Sequence, residues 1–524
     1  MAQRRAGSRP RAVLDSGTPG PLACGVLSNR FVRAAVCAAA AWMSFAAASA
    51  PARAAVAEPA LRLSLAEAVG HAVRNSRAIR DAALGRQSDR FDLYEAEAEF
   101  RPRLDLAGAL DRREIELRNA GAEAVETRGD GAGFGAAVRL ALPTGGEVAY
   151  AWASTRAEEQ PLSPEGELVD GDGRTSAFTL RQPLLRGGGV GVATAALKRA
   201  RLADEISDQE FRGGLMRVVT GAVRGYRALV GAERGLEIAR RSLEQARELV
   251  VVNQALIEAG RMAAVDLIQT ETQVANAEVE LLAAENDLER ARLALVDVLD
   301  LQDGTRLESA EPVTIVESEL DLEALYRRAL LHRPEQRVAE LDLEIARLGL
   351  LEARNGRLWN LDLSASWGDV RDRPLGADDV SRERSWSAAV VVGHTLGDRS
   401  RERRFAQSRI EVERAELRLE ELRSALRLEL TDRVRDIEIR RRAVEVAERA
   451  RGLSERQLEI ESEKLRVGRS TNFEYLRLED DLVVARLREL AATISYLDAL
   501  TLLDEAVGTT LDTWGVTIDS GAGS

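Results

Sequence analysis

The chain has 524 residues and a formal net charge of −13, with 45% hydrophobic, 30% charged and only 4% aromatic residues. That length can bury a large core or several, and the acidic balance argues against a surface built for nucleic acid or anionic headgroups. The two cysteines are Cys24 and Cys37, so the chain beyond them has no disulfide, thiolate metal site or cysteine nucleophile.

In chain order, an export signal comes first. Arg30 and Arg33 precede an apolar run from Ala34 to Ala50, and Ala52-Arg53-Ala54 fits an A-x-A cleavage site, so residues 1–54 read as a signal peptide. A transmembrane anchor is the alternative, but the run is short for a span and rich in alanine. Removing the segment takes away seven Arg and one Asp, which makes the mature charge −13 − 6 = −19. Past Ala54 no apolar run approaches the ~20 residues of a membrane helix. Any membrane crossing by the mature chain therefore requires a closed β-barrel.

The remainder of the chain carries an internal duplication. Residues 65–106 align without a gap on 322–363 at an offset of 257, with Leu65/Leu322, Ala72/Ala329, Arg80/Arg337, Glu95/Glu352 and the triplet LDL at 104–106 and 361–363 in common. A second match aligns the segment around Gly260 with that around Gly468 and continues through Ala277/Ala485 and Leu282/Leu490. Two matches in the same order imply a repeat. The expected division is a first repeat over 55–302, a linker over 303–317, a second repeat over 318–510 and a tail over 511–524.

Each repeat is predicted to run helix, strands, very long helix, reversal, return helix. Ser64 and Asp321 are candidate N-caps, and Glu67 completes a capping box in the first repeat. Residues of about 192–259 and 401–467 contain no proline, and Leu419, Leu422, Leu426, Leu430, Val434 and Ile437 recur at helical steps. A helix of about 65 residues is roughly 100 Å long and must pack lengthwise on other rods. Gly260 and Gly468 stop these rods and turn the chain into return helices ending near Leu301 and Val507.

Strands are expected at 103–112, 134–142, 147–154 and 176–181 in the first repeat and at 358–367 and 386–396 in the second. Residues 157–174 read as an exposed loop, and 371–385 as a polar linker. In LWNLDLSASW, Trp359, Leu361, Leu363, Ala365 and Trp367 alternate with Asn360, Asp362, Ser364 and Ser366. A half-buried strand of a soluble sandwich gives the same alternation. A lipid-facing barrel strand also explains the tryptophans, which favour the two interfaces of a bilayer. Trp386 opens the next strand and shares that role. One chain offers four to six strands and a barrel needs eight or more, so several copies must contribute.

These residues resemble the TolC-type outer membrane factors, the exit ducts of efflux pumps and type I secretion systems. The stretches that carry the resemblance are LSLAEAVGHAVRNSRAI (63–79), RPRLDL (101–106), TLRQPLLRGGG (179–189) and the two reversals, across most of 61–510. The resemblance implies a mixed fold: a long coiled-coil helical barrel joined to a transmembrane β-barrel that is completed by trimerisation, with 12 strands, four from each chain. It leaves open whether 134–154 joins that barrel or decorates it.

The resemblance further implies a homotrimer in the outer membrane, with helices reaching into the periplasm, a periplasmic adaptor, and an inner-membrane pump or ABC transporter. The turns Ala259-Gly260-Arg261 and Val467-Gly468-Arg469 would meet the adaptor. Asp266 and Glu474, each six residues past a turn glycine, match the acidic positions that ring the family's closed tip, where three like carboxylates favour cations. A solvated helix face explains the same acids. There are departures from the family pattern: the second acidic position is Arg477, the locking tyrosine is Leu465, Arg469 is one residue from the gating arginine, and Arg77 stands where the second repeat has Pro334.

No catalytic constellation stands out. His71, His332 and His394 lack metal-ligand spacing, and LLRGGGVGVAT (184–194) lacks the lysine of a P-loop and reads as a strand-to-helix joint. A passive duct without cofactor, metal or nucleic-acid partner is the expectation. A periplasmic scaffold or adaptor without a barrel is the alternative.

Overall fold

A computed structural model describes residues 61–117, 125–161, 168–260, 263–302, 304–312, 314–315, 320–467 and 469–517. The expected signal segment lies outside them. Two runs of elements repeat one plan. The first is β1 (Leu61–Leu63), α1 (Leu65–Asn75), α2 (Arg77–Ala98), β2 (Arg103–Leu117), β3 (Val125–Ala141), β4 (Glu147–Pro161), β5 (Val169–Pro183), α3 (Val190–Ala193), α4 (Ala195–Glu258) and α5 (Ala264–Leu299). The second is β6 (Leu307–Ser309), α6 (Leu322–His332), α7 (Pro334–Gly356), β7 (Asn360–Arg373), β8 (Ser381–Gly393), α8 (Ser400–Arg466), α9 (Asn472–Val507) and the short α10 (Thr510–Thr513).

The helix ends follow from local chemistry. The Ser64 hydroxyl accepts the Glu67 N–H at 3.3 Å and the Glu67 carboxylate accepts the Ser64 N–H at 2.8 Å, a reciprocal cap on α1. Asp321 caps α6 by accepting the Glu323 N–H at 3.0 Å. Both repeats then break and resume one residue later. Pro334 occupies the first helical position of α7, where its missing N–H has no partner to lose. The first repeat makes the same break at Ser76 without proline, and Arg77 instead pairs with Asp300 at 2.6 Å.

The rods α4 and α8 run 64 and 67 residues, roughly 100 Å each at ~1.5 Å per residue. Each packs on its own return helix. Tyr226, Leu229 and Val230 of α4 meet Leu295, Val296 and Leu299 of α5 beside Leu63 and Leu307 of the parallel β1–β6 pair. Leu426, Leu430 and Ile437 of α8 meet Tyr496, Leu497 and Leu503 of α9. Fully burying one such side chain contributes about 2 kcal/mol. The repeats are clasped together by Arg227 of α4, which donates to the Leu497 carbonyl at 2.6 Å and to the Thr501 hydroxyl at 2.7 Å on α9. Arg337 of α7 also reaches Glu205 of α4 at 2.6 Å.

The strands form a single six-stranded antiparallel sheet in the order β2-β3-β4-β5-β7-β8. The sheet answers what was left open at 134–154 and corrects the expected loop, linker and strand count. The 134–154 segment is part of it, with β3 bonded to β2 and β4 to β5. Residues 157–161 and 169–174 are strand, not loop, as are 371–373 and 381–385 of the expected linker. The sheet of one chain therefore has six strands, where the resemblance implied four. These stretches are glycine-rich or charged, poor strand formers alone, but they are paired rung by rung. Arg112 meets Asp130 at 2.6 Å and Arg128 meets Glu114 at 2.7 Å across β2–β3.

The β3–β4 turn is fastened to the joint between β5 and α4. The Gly189 N–H donates to the Thr144 carbonyl at 3.0 Å, and the Gln182 amide donates to the same carbonyl at 3.2 Å. Gly145 sits at φ +90, and a Cβ there would lie 2.2 Å from the Gly187 carbonyl oxygen. Only glycine permits this backbone approach. Gly145→Ala is expected to cost roughly 2 kcal/mol from backbone strain and the clash, whereas Gly133→Ala, with no neighbour nearer than 3.6 Å, leaves thermal unfolding of the purified protein within a degree or two. Equal melting temperatures for the two variants contradict the fastening.

Candidate functional site

The register sorts the sheet into two unlike faces. On one, Leu104 and Leu106 of β2, Phe134 and Val138 of β3, Tyr150 and Trp152 of β4, Phe178 and Leu180 of β5, Leu363 and Trp367 of β7, and Trp386 and Val390 of β8 lie side by side. Most of them are exposed: Leu106 is 64% exposed, Val390 62% and Trp386 81%. Trp367 and Trp386 are direct cross-strand partners, and the next rungs on that face turn charged, Asp369 opposite Arg384 and Arg371 opposite Arg382. The Arg382 guanidinium holds Asp369 at 3.0 Å. At the other end Trp359 stands one residue before β7 and stacks on His394 at 4.6 Å. The apolar band is thus continuous over six strands and ends in aromatic and charged rows.

The opposite face carries small residues. Ala107, Gly133, Ala151, Thr175, Ser366 and Ser387 line its middle, and the Ser366 and Ser387 hydroxyls bond each other at 2.8 Å. Its charges lie at both ends: Arg181 pairs with Asp362 at 3.4 Å at the helical end, and Asp111, Arg113, Glu159, Asp372 and Glu383 stand at the far end. The two edge strands, β2 and β8, each present one unpaired rim of backbone groups among the described residues.

The second candidate region is where the helical hairpins turn. Gly260 takes φ +68 as α4 ends; Arg261 and Gly468 lie outside the described residues. Val467 follows α8 and is 64% exposed, and the Arg469 N–H donates to the Lys464 carbonyl at 2.8 Å. Asp266 and Glu474 both fall at the third position of their return helices, α5 and α9. The Thr471 hydroxyl accepts the Glu474 N–H at 3.3 Å, so an acid there also suits the helix dipole. Arg477, exposed, lies a turn further along α9.

Three features of this region escaped the sequence reading. A buried polar bridge joins the hairpins: Asn253 of α4 and Asn472 of α9 both donate to the Thr270 hydroxyl of α5, at 2.7 and 2.9 Å. Further along α9, Glu479 is 3% exposed, and neither carboxylate oxygen has a partner in the structure. Burial, with Asp480 beside it, pushes its carboxyl up to about 7. The third feature is a line along α8. Ile439, Val446, Leu453, Ile460 and Val467 recur every seven residues and all are exposed. They lie beside the buried line Leu430, Ile437, Val444 that faces α9. The strict seven-residue step was the available signal.

Among the described residues no helix is long and apolar enough to cross a membrane, and no cluster of His, Cys, Asp or Glu suits a metal ion. No family model and no curated protein matches the sequence. The fold matches solved outer-membrane channels. The OprN channel aligns over 85% of this chain and 90% of its own with a TM-score of 0.64 and 16% identity. VceC of Vibrio cholerae aligns over 85% and 96% with 0.63 and 16%, and the open state of Neisseria gonorrhoeae MtrE over 85% and 89% with 0.61 and 16%. At such identity the likeness is one of fold: the chain has the fold of these outer-membrane proteins, as the resemblance to TolC-type factors implied.

A buried carboxyl raised above its unfolded value carries its proton in the folded state, so its stabilising effect is complete below about pH 4.5 and is lost as pH rises through 7. Glu479→Gln is therefore expected to raise stability at pH 8 by on the order of 2 kcal/mol and to flatten the loss between pH 5 and 8. Unfolding of wild type and variant followed at both pH values checks this; parallel profiles contradict it.

Proposed function

We propose that this chain is the outer-membrane exit duct of a tripartite efflux or type I secretion system, working as a passive homotrimer. The observation that carries the reading is the exposed apolar band, bounded by aromatic and charged rows, on a sheet with two unpaired edges. In water such a band is a large unfavourable surface, and in lipid an open edge is forbidden. Both problems disappear when copies close the sheet into a barrel whose band faces lipid and whose small-residue face lines a watery lumen. Trp359, Trp367 and Trp386 then sit at the interfaces.

The heptad line on α8 supports the same assembly, since it offers a seam for a rod of a neighbouring copy. Residues 1–54 act as the export signal, and the repeats over 55–302 and 318–510 each supply strands and a hairpin. The rods extend into the periplasm, where the turns at Gly260, Arg261, Val467, Gly468 and Arg469 meet an adaptor that links the duct to an inner-membrane pump or ABC transporter. Asp266 and Glu474 ring the closed bore and Arg477 modifies its charge. Energy comes from those partners; the duct does no chemistry. A periplasmic scaffold without a barrel leaves the apolar band without a purpose.

Membrane fractionation followed by electrophoresis without heating tests this. The expected product is an outer-membrane trimer that collapses to monomer on boiling; a soluble, heat-insensitive monomer overturns the proposal. Leu453→Glu places a charge in the heptad seam and is expected to weaken the trimer at least tenfold, while Glu448→Gln, off the seam, leaves it intact. Unchanged trimer in the first variant removes the seam from the account.

A further inference from the structure

We propose that the assembled duct opens through a barrel of 18 strands, half again as wide as one built from four strands per chain. The proposal rests on the trimeric reading above and adds the size of the outlet. Three observations carry it. First, the repeats differ in length in one place. The offset between them is 257 before the strands and 208 at the hairpin turns, so the first repeat holds 257 − 208 = 49 extra residues there. The β3–β4 pair lies in that interval, between β2 and β5, whereas the second repeat passes straight from β7 to β8.

Second, the inserted pair is part of the wall. Its strands bond both neighbours along their length, with Leu106 opposite Ala136 and Tyr150 opposite Phe178. Its apolar residues continue the same band and its Ala and Gly positions continue the same small-residue face. Its turn is pinned to the β5–α4 joint through Gly145 and Thr144. Third, the count is compatible with closure. An even number of antiparallel strands leaves β2 and β8 running in opposite directions, so β8 of one copy can bond β2 of the next in the same alternating pattern.

The dimensions can be set from strand geometry. With strands ~4.8 Å apart and tilted ~40°, a 12-strand barrel has a backbone radius of about 12 Å and an 18-strand barrel about 18 Å. Four long helices per chain lead to the sheet, α2, α7 and α8 directly and α4 through the short α3. Twelve helices ~10 Å apart make a ring of about 19 Å radius, so the wider barrel continues such a tunnel without a step. Small side chains on the middle rungs of the inner face add little obstruction there. The barrel is then a broad, weakly selective outlet, and selection falls to the hairpin turns.

The mature chain lacks cysteine, so single spin labels report the barrel size. Ser387→Cys on β8 and Ala151→Cys on β4, each on the small-residue face, are labelled separately in protein reconstituted in lipid, and distances between the three copies are measured by pulsed electron resonance. Native mass spectrometry counts the copies. A trimer with both distances near 30 Å is the expected result, to about the precision of the strand spacing. A trimer with Ser387 labels near 20 Å, about the spacing of a 12-strand barrel, overturns the 18-strand barrel and leaves the duct reading intact. Any other copy number overturns the trimeric reading and the barrel size with it.

Discussion

An open sheet cannot be left with unpaired edges and an exposed apolar face, and this constraint organises the rest of the molecule. Backbone groups at a rim need partners wherever water is excluded, and a band of leucine, valine and tryptophan needs a partner wherever water is present. One chain satisfies neither. The six strands from Arg103 to Gly393 hold each other well, yet β2 and β8 stay open and Trp386 and Leu106 stay bare. The helical half has the same incompleteness: α8 buries Leu430, Ile437 and Val444 against α9 while Leu453 and Ile460 face outward. Both halves point to the same remedy, further copies of the chain around a common axis.

The duplication explains how one chain presents so regular a surface. Each repeat delivers a helix pair, a strand pair and a long hairpin, and the return helices α5 and α9 are both 36 residues. The β3–β4 pair departs from that regularity. It widens the sheet without adding a rod, and its turn is accommodated by glycine at Gly145, where a Cβ would lie 2.2 Å from the Gly187 carbonyl oxygen. A wall enlarged in this way keeps its antiparallel alternation because strands were added in a pair.

Much of this was legible in the sequence, for physical reasons. The proline-free rods, the turn at Gly260 and the caps at Ser64 and Asp321 rest on local rules and lie within a few residues of where they were expected. The alternation in LWNLDLSASW also translates directly into two faces. Strand lengths were less legible, because β3 holds four glycines and four alanines among its 17 residues and the outer rungs hold charges whose cross-strand partners are distant in sequence. The 49-residue difference between the repeats was visible, and read as a length it already implied an added strand pair. The buried Asn253–Thr270–Asn472 bridge was not visible, since it joins three helices through residues that look like surface positions in each. The isolated carboxyl of Glu479 was hidden for the same reason.

The central claim is that the edges of the sheet are sealed by other copies. Hydrogen exchange of the protein reconstituted in lipid tests this most directly. The account predicts that amides of β2 and β8 exchange as slowly as those of the interior strands β4 and β5. Edge amides that exchange orders of magnitude faster than the interior, in a folded and lipid-inserted protein, would contradict it.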